Sequence, residues 1–152
     1  MTLQYRVKTA SKEEIYSHLM ECDRNFVPPL SSRVDLLDYS IKIFEKSVSF
    51  EAWDEQVLVG MINAYLDNVS NRTGYITNVS ILPVYMGQGI ALTLLEMCLR
   101  YAEKHTFSRI RLEVSWENGP AIELYSKVGF KIINESGDNL LMEYEIPGKS
   151  VE

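Results

Sequence analysis

Only two cysteines and two histidines occur in the 152 residues. Cys22 and Cys98 stand in neither a Cys-x-x-Cys pair nor a His-rich run, so the spacing that holds zinc or supports thiol redox chemistry is missing. Both fall on apolar helical stripes and are expected to be buried free thiols, and no metal site is expected. No stretch approaches the roughly 18 consecutive apolar residues of a membrane span, and residues 1–16 lack the apolar core of a signal peptide. A soluble, cytoplasmic protein without a membrane partner is therefore expected. Without a secretory signal, the tripeptides beginning at Asn68, Asn71 and Asn78 carry no weight as glycosylation sites. Basic charge is also short: 15 Lys and Arg against 21 Asp and Glu leave a net −6. That balance opposes non-specific binding to nucleic acid and weakly favours a cationic substrate. Repeats, linkers and low-complexity tracts are lacking as well, so the length and the 46% hydrophobic content fit one domain, 1–152, around one core.

What is present reads as alternating helices and strands. A first strand over 3–8 leads to Ser11-Lys12-Glu13-Glu14, a capping box in which serine and glutamate side chains satisfy each other's amides. The helix it starts carries Ile15, Leu19, Cys22 and Phe26 at helical spacing, and Pro28-Pro29 stops it. A second helix is expected from near Ser31 or Ser32, with Val34, Leu37, Ile41 and Phe44 on one face. The period then shortens to that of strands: 48–53, a turn at Asp54-Glu55, 57–66, a polar loop over 67–74, and 75–82. These form an antiparallel meander. A long helix over about 88–105 turns Ala91, Leu94, Leu95, Cys98 and Ala102 towards the sheet. Residues 109–116 alternate, Ile110, Leu112, Val114 and Trp116 against Arg109, Arg111, Glu113 and Ser115. A shorter helix follows, with Pro120 in its first turn, Ala121, Leu124, Tyr125 and Val128 as its buried stripe, and Gly129 as its cap. Strands over 130–133 and 140–146 close the sheet around a turn at 135–139, and 147–152 read as a frayed tail.

The stretch Ile81-Leu82-Pro83-Val84-Tyr85-Met86-Gly87-Gln88-Gly89-Ile90-Ala91 runs from a strand through a proline turn into a helix start. Such a start leaves about four amides without internal partners, and glycines let an anion approach them. A pyrophosphate fits there, although an ordinary loop-to-helix turn has the same composition. No Gly-Lys-Ser/Thr follows, which excludes a Walker loop, and no third glycine completes a dinucleotide fingerprint.

This stretch resembles the acetyl-CoA loop of the GNAT superfamily of N-acetyltransferases, Arg/Gln-x-x-Gly-x-Gly/Ala, in the frame Met86-Gly87-Gln88-Gly89-Ile90-Ala91. Met86 departs from the family's Arg or Gln, which implies weaker cofactor affinity rather than lost binding. A second run, Asn118-Gly119-Pro120-Ala121-Ile122-Glu123-Leu124-Tyr125-Ser126-Lys127-Val128-Gly129-Phe130, resembles the family's Asn-x-x-Ala-x-x-Leu-Tyr-x-x-x-Gly-Phe signature at the family spacing. The likeness spans about 75–144, while 1–74 match only in the order of elements.

The resemblance implies an α/β (α+β) fold: a mixed, mostly antiparallel sheet of six to seven strands with about four helices, splayed between strands four and five. It implies an acetyl-CoA-binding core over about 75–146, with acetyl-CoA as co-substrate and no metal. Val79 and Ile81 on the splayed strand would contact pantetheine and acetyl group, Met86 to Ala91 the pyrophosphate, and Asn118 the pantetheine arm. Tyr125 would protonate the departing thiolate, a plausible role for a phenol of ordinary acidity in contact with sulfur; a core aromatic is the alternative. Glu113 resembles the glutamate that deprotonates the amine in the ribosomal-protein alanine acetyltransferase branch; pairing with Arg109 or Arg111 is its alternative. Asp23, Tyr39, Tyr65, Asp67, Tyr75 and Tyr85 are polar groups available for substrate, and each reads equally well as an ordinary surface residue.

The expected reaction is direct transfer to a primary amine, because neither cysteine neighbours the motifs as an acyl-carrying nucleophile would. A small-molecule amine is expected as acceptor. The alternatives are a protein N-terminus, a longer acyl donor, or a CoA-binding sensor without turnover. A homodimer is compatible with the family.

Overall fold

In the computed structural model, which describes residues 2–67 and 70–148, the Ser11 capping box forms as expected. Ser11 Oγ accepts from the Glu14 amide at 3.1 Å and Glu14 Oε1 from the Ser11 amide at 2.9 Å, opening helix α1, Lys12–Cys22. Strand β1, Leu3–Val7, precedes it. The helix ends one turn before Phe26, and Asp23 explains both that ending and the phase of the next helix. Its carboxylate accepts from Ser31 N at 2.8 Å and Ser31 Oγ at 2.6 Å, so Ser31 is committed elsewhere and cannot cap a helix. Asp35 caps instead, accepting from Asp38 N at 3.0 Å, and α2 runs Leu36–Lys46. The expected face is therefore wrong: Ser40 and Ile43 are buried, whereas Leu37 and Phe44 are 53% and 39% exposed.

The meander follows as β2, Val48–Asp54, β3, Val57–Tyr65, and β4, Thr73–Ile81, with the first turn one residue later than expected, at Glu55-Gln56. Helix α3, Ile90–Lys104, buries Ile90, Leu94, Leu95, Cys98 and Ala102, with Ala91 only partly covered. Strand β5, Arg109–Ser115, ends before Trp116, which lies past the alternation and is 57% exposed rather than inward. Helix α4, Gly119–Val128, and the hairpin β6, Lys131–Ser136, with β7, Asn139–Glu145, complete the chain. The hairpin turns at Gly137-Asp138. Residues 68 and 69 of the expected polar loop, the Asn68 tripeptide with them, and 149–152 of the expected frayed tail lie outside the described residues.

The sheet has seven strands in the order β1-β2-β3-β4-β5-β7-β6, and only β4 and β5 are parallel. Helix α3 makes the crossover between them and packs, with Tyr125 of α4, against Phe50, Ile62, Ile76 and Ile110. Helices α1 and α2 form a second cluster, Ile15, Leu19 and Ile43, over Trp53, Leu58 and Met61. Strands β2 and β3 are thus covered on both sides, and their runs are almost wholly buried.

Polar groups trapped under α1 and α2 are paired, the Tyr65 hydroxyl excepted. Glu51, fully buried, accepts from the Thr9 and Ala10 amides, Ser49 Oγ and Trp53 Nε1. A second chain starts at His18, whose Nδ1 lies 2.9 Å from Leu58 O and Nε2 2.8 Å from Ser80 Oγ. It continues through Asn78 Nδ2, which donates to Ser80 Oγ and to Asn63 Oδ1, both at 3.0 Å, and through Asn63 Nδ2 to Ser47 Oγ at 3.2 Å. Since a carbonyl only accepts, Nδ1 carries the His18 proton. Burial holds the ring below its ordinary pKa, so it is neutral and Ser80 donates to Nε2.

Candidate active site

Strands β4 and β5 pair only from Thr73 with Arg109 to Ile76 with Leu112. On its other edge β4 pairs Asn78 with Asn63 and then Ile76 with Ala64, so Thr77 is an extra, bulged residue where β4 leaves β5. Tyr39 of α2 fastens it: its hydroxyl donates to Thr77 O at 2.9 Å and lies 2.7 Å from Thr77 Oγ1. Further along, Leu82 N donates to Val59 O at 2.8 Å. Backbone groups alternate along a strand, so those of Val79 and Ile81 face away from β3, into the gap. The expected splay is therefore present, and its cause is a bulge.

The gap opens into a cavity of about 400 Å³. Val79, Glu113, Asn118 and Tyr125 all line it, bringing four of the sequence-derived site residues together. Ile81 is only 9% exposed, with its side chain in the α3 core, so only its backbone is offered to the gap. Phe26, Val27, Leu30, Arg33 and Val34, from the segment between α1 and α2, form an outer wall.

Met86 to Ala91 lie apart from this cavity, at the start of α3. Gly89 is the N-cap at φ +80° without a side-chain cap, and Thr93 N, donating to Gly89 O at 3.1 Å, makes the first helical bond. The amides of Ile90, Ala91 and Leu92 thus have no helical acceptor. A Cβ built on Gly87 or Gly89 meets nothing within 4 Å, so the space over these amides is open to an anion. Gly60 seats the helix start on the sheet, since a Cβ there would come within 2.9 Å of Ile81 and Ile90. Met86 is half exposed, and Tyr85 donates to Asp54 Oδ2 at 2.6 Å, holding the preceding turn.

Asn118 caps α4, its Oδ1 accepting from Ala121 N at 3.3 Å, which leaves Nδ2 for a ligand carbonyl. Two turns on, Tyr125 is 6% exposed, and its hydroxyl bonds to no other described residue. Burial pushes this phenol up to about 12. Its ring belongs to the core, 5.8 Å from that of Phe130, and the residue also lines the cavity.

Glu113 does not pair with its neighbouring arginines. Arg111 lies opposite Glu143 of β7 and binds it at 2.8 Å; Arg109 approaches the same carboxylate at 3.9 Å and donates to Thr73 Oγ1 at 2.9 Å. Glu113 faces Leu141 instead and is exposed towards the cavity. Beside it, the Tyr75 phenol is raised first by burial and then by the Glu113 charge, while Arg33 acts in the opposite sense. Of the six polar groups left open by sequence, Tyr75 is thus the one with an uncommitted place in the cavity. Tyr39, Asp23 and Tyr85 are spent on Thr77, Ser31 and Asp54, Asp67 is exposed at the end of β3, and the Tyr65 hydroxyl is buried without a partner. The signal for Tyr39 was its helix phase, hidden by the misplaced start of α2.

Cys22 and Cys98 are buried, as expected, and burial raises both thiols to about 12. Neither lines the cavity, and neither is a thiolate near neutral pH.

A mixed sheet parted at its parallel pair, with a glycine-bearing helix start beyond the gap and an unpartnered phenol inside it, is an architecture for holding a long, phosphate-bearing ligand along strand backbone. Residues 12–130 match the acetyltransferase (GNAT) family, and the chain belongs to that family. It is 32% identical over 122 residues to GCN5-related N-acetyltransferase 6, chloroplastic, of Arabidopsis thaliana, covering 76% of this chain and 41% of that protein. It is 33% identical over 88 residues to streptothricin acetyltransferase of Escherichia coli, covering 58% of this chain and 49% of that protein. The matches thus span less than half of these curated relatives. Among solved structures, the PaiA N-acetyltransferase of Thermoplasma acidophilum in complex with coenzyme A superposes with a TM-score of 0.77 at 18% identity, over 95% of this chain and 99% of that one.

Proposed function

We propose that this chain is an acetyl-CoA-dependent N-acetyltransferase that transfers acetyl directly to the primary amine of a small molecule. The observation that carries this reading is the meeting of Tyr125, with its unpartnered hydroxyl, and the unpaired Glu113 in one cavity at the parting of β4 and β5. The relative named for acetylating streptothricin supports a small acceptor, and so does a wall closed by the 26–34 segment. Two reduced, buried thiols support a cytoplasmic setting.

Acetyl-CoA, when bound, supplies an activated acetyl thioester. The α3 amides and the open space at Gly87 and Gly89 suit its pyrophosphate, and the β4 backbone at Val79 and Ile81 suits the pantetheine arm. Asn118 Nδ2 adds a donor to the arm. Glu113 takes the proton that the amine must lose before attack, directly or through water. The amides facing the gap stabilise the oxyanion that develops on the thioester carbonyl.

For Tyr125 the acidity matters. Burial keeps the Tyr125 phenol protonated, and burial raises a thiol in the same sense, so the two stay close enough in acidity to share a proton. Tyr125 donates a hydrogen bond to the departing sulfur, and the amine is the net source of the proton. Calorimetric titration with acetyl-CoA and, separately, with free CoA tests the reading. One-site binding of both is expected; no heat at millimolar cofactor would overturn it.

A further inference from the structure

An exposed cation lines the acceptor cavity. Arg33, between α1 and α2, lines it, and no carboxylate or carbonyl among the described residues pairs with its guanidinium. The acids lining the same cavity are Glu113 and Asp138. Tyr75 and Tyr39 line the same cavity, and the Tyr75 phenol is raised by burial and then by the Glu113 charge, with Arg33 acting in the opposite sense. A cavity built for a purely cationic amine gains nothing from a guanidinium at its wall, because like charges repel.

A second acceptor faces the amine end. Asn78 is 5% exposed and lines the cavity, and its Nδ2 is used twice, towards Asn63 Oδ1 and Ser80 Oγ. Its orientation is fixed from the far end of the chain: neutral His18 gives its proton to Leu58 O, Ser80 gives its own to His18, and Ser80 Oγ must therefore accept from Asn78. Asn78 Oδ1 is left with no donor from the described residues, close to the bulge where an attacking amine would stand. Phe26, Val27, Leu30 and Val34 add an apolar wall beside Arg33.

We infer that the acceptor is a small amine that also carries a carboxylate and an apolar side chain, of the free α-amino acid class. Its amine is received by Glu113 and Asn78 Oδ1, and its carboxylate by Arg33. This rests on the acetyltransferase reading above and deepens it.

The probes are L-leucine, isopentylamine, which is leucine without its carboxylate, and the dipeptide Leu-Leu, which moves the carboxylate one residue away. Acetyl transfer from acetyl-CoA to each is followed with the unaltered chain and with Arg33→Gln. L-leucine is expected to exceed isopentylamine by at least about tenfold in kcat/KM, carried by KM, with that ratio collapsing in Arg33→Gln. Equal use of the two amines, a preference that survives Arg33→Gln, a preference for Leu-Leu, or acetylation of neither would each overturn the inference. Titration of acetyl-CoA into both proteins separates the two levels: retained cofactor binding with any of those outcomes leaves the acetyltransferase reading standing and removes only the carboxylate-bearing acceptor.

Discussion

On one side of the parted sheet, the groups left open to a ligand are backbone: the amides of α3 behind Gly87 and Gly89, and the gap-facing groups of Val79 and Ile81. On the other they are side chains, Glu113, Tyr75, Asn78 and Arg33, on β5, β4 and the segment before α2. The two sides answer to different rules. Backbone recognition needs an open approach and a fixed chain path, so it demands glycine or a cap at set places and leaves the half-exposed Met86 unconstrained. Side-chain recognition leaves the chain path alone and varies with whichever residues line the wall. Tyr125 sits at the junction of the two, and Tyr39 shows what a spent hydroxyl of the same type does: Tyr125 is buried and Tyr39 half-buried, but Tyr39 is committed to Thr77.

The comparison can be broken most forcefully at the junction. Tyr125→Phe should lower kcat by about 100-fold while leaving the CoA dissociation constant within about threefold, measured by steady-state kinetics beside calorimetry. A large loss of CoA affinity instead would make Tyr125 a core residue. On the backbone side, Gly89→Val forces a β-branched residue to φ +80° and should weaken CoA binding by roughly tenfold or more, with amine KM little altered.

The buried chain behind the acceptor side gives a pH signature. His18 has a folded pKa below its unfolded value, so the unfolded chain binds more protons and stability falls as pH drops below about 6.5. The loss grows as pH falls until the folded pKa is reached. Chemical denaturation across this range should show the slope, and His18→Gln should flatten it. Tyr39→Phe removes the bond to Thr77 O and should cost about 1 kcal/mol of stability, raising amine KM while sparing CoA affinity. Smallest is Met86→Arg, which adds a cation near the α3 start and should tighten CoA binding only a few-fold, in a salt-dependent way.

The same division explains what the sequence made legible. The glycine-bearing start of α3 and the Gly129 cap could be read because turn, cap and positive φ restrict residue choice, while Asn118 and Tyr125 were marked by the family signature. The antiparallel meander of β2, β3 and β4 followed from alternation and turn residues, and the splayed mixed sheet from the family resemblance. The start of α2 could not be read, because Ser31 looks like a cap until Asp23 claims it across eight residues. The Glu113 question was settled by strand register: Glu143, not Glu113, lies opposite Arg111, a pairing that no local pattern encodes. Arg33 and Asn78 stayed hidden for a like reason, since their significance lies in what they fail to pair with.

The most direct test of the account is a crystal structure of the chain with CoA. The account predicts the pyrophosphate on the amides between Gly87 and Leu92, the pantetheine arm along Val79 and Ile81, and the sulfur within hydrogen-bond reach of the Tyr125 hydroxyl. A pyrophosphate bound away from the α3 start, or a sulfur outside the β4–β5 gap, would contradict it.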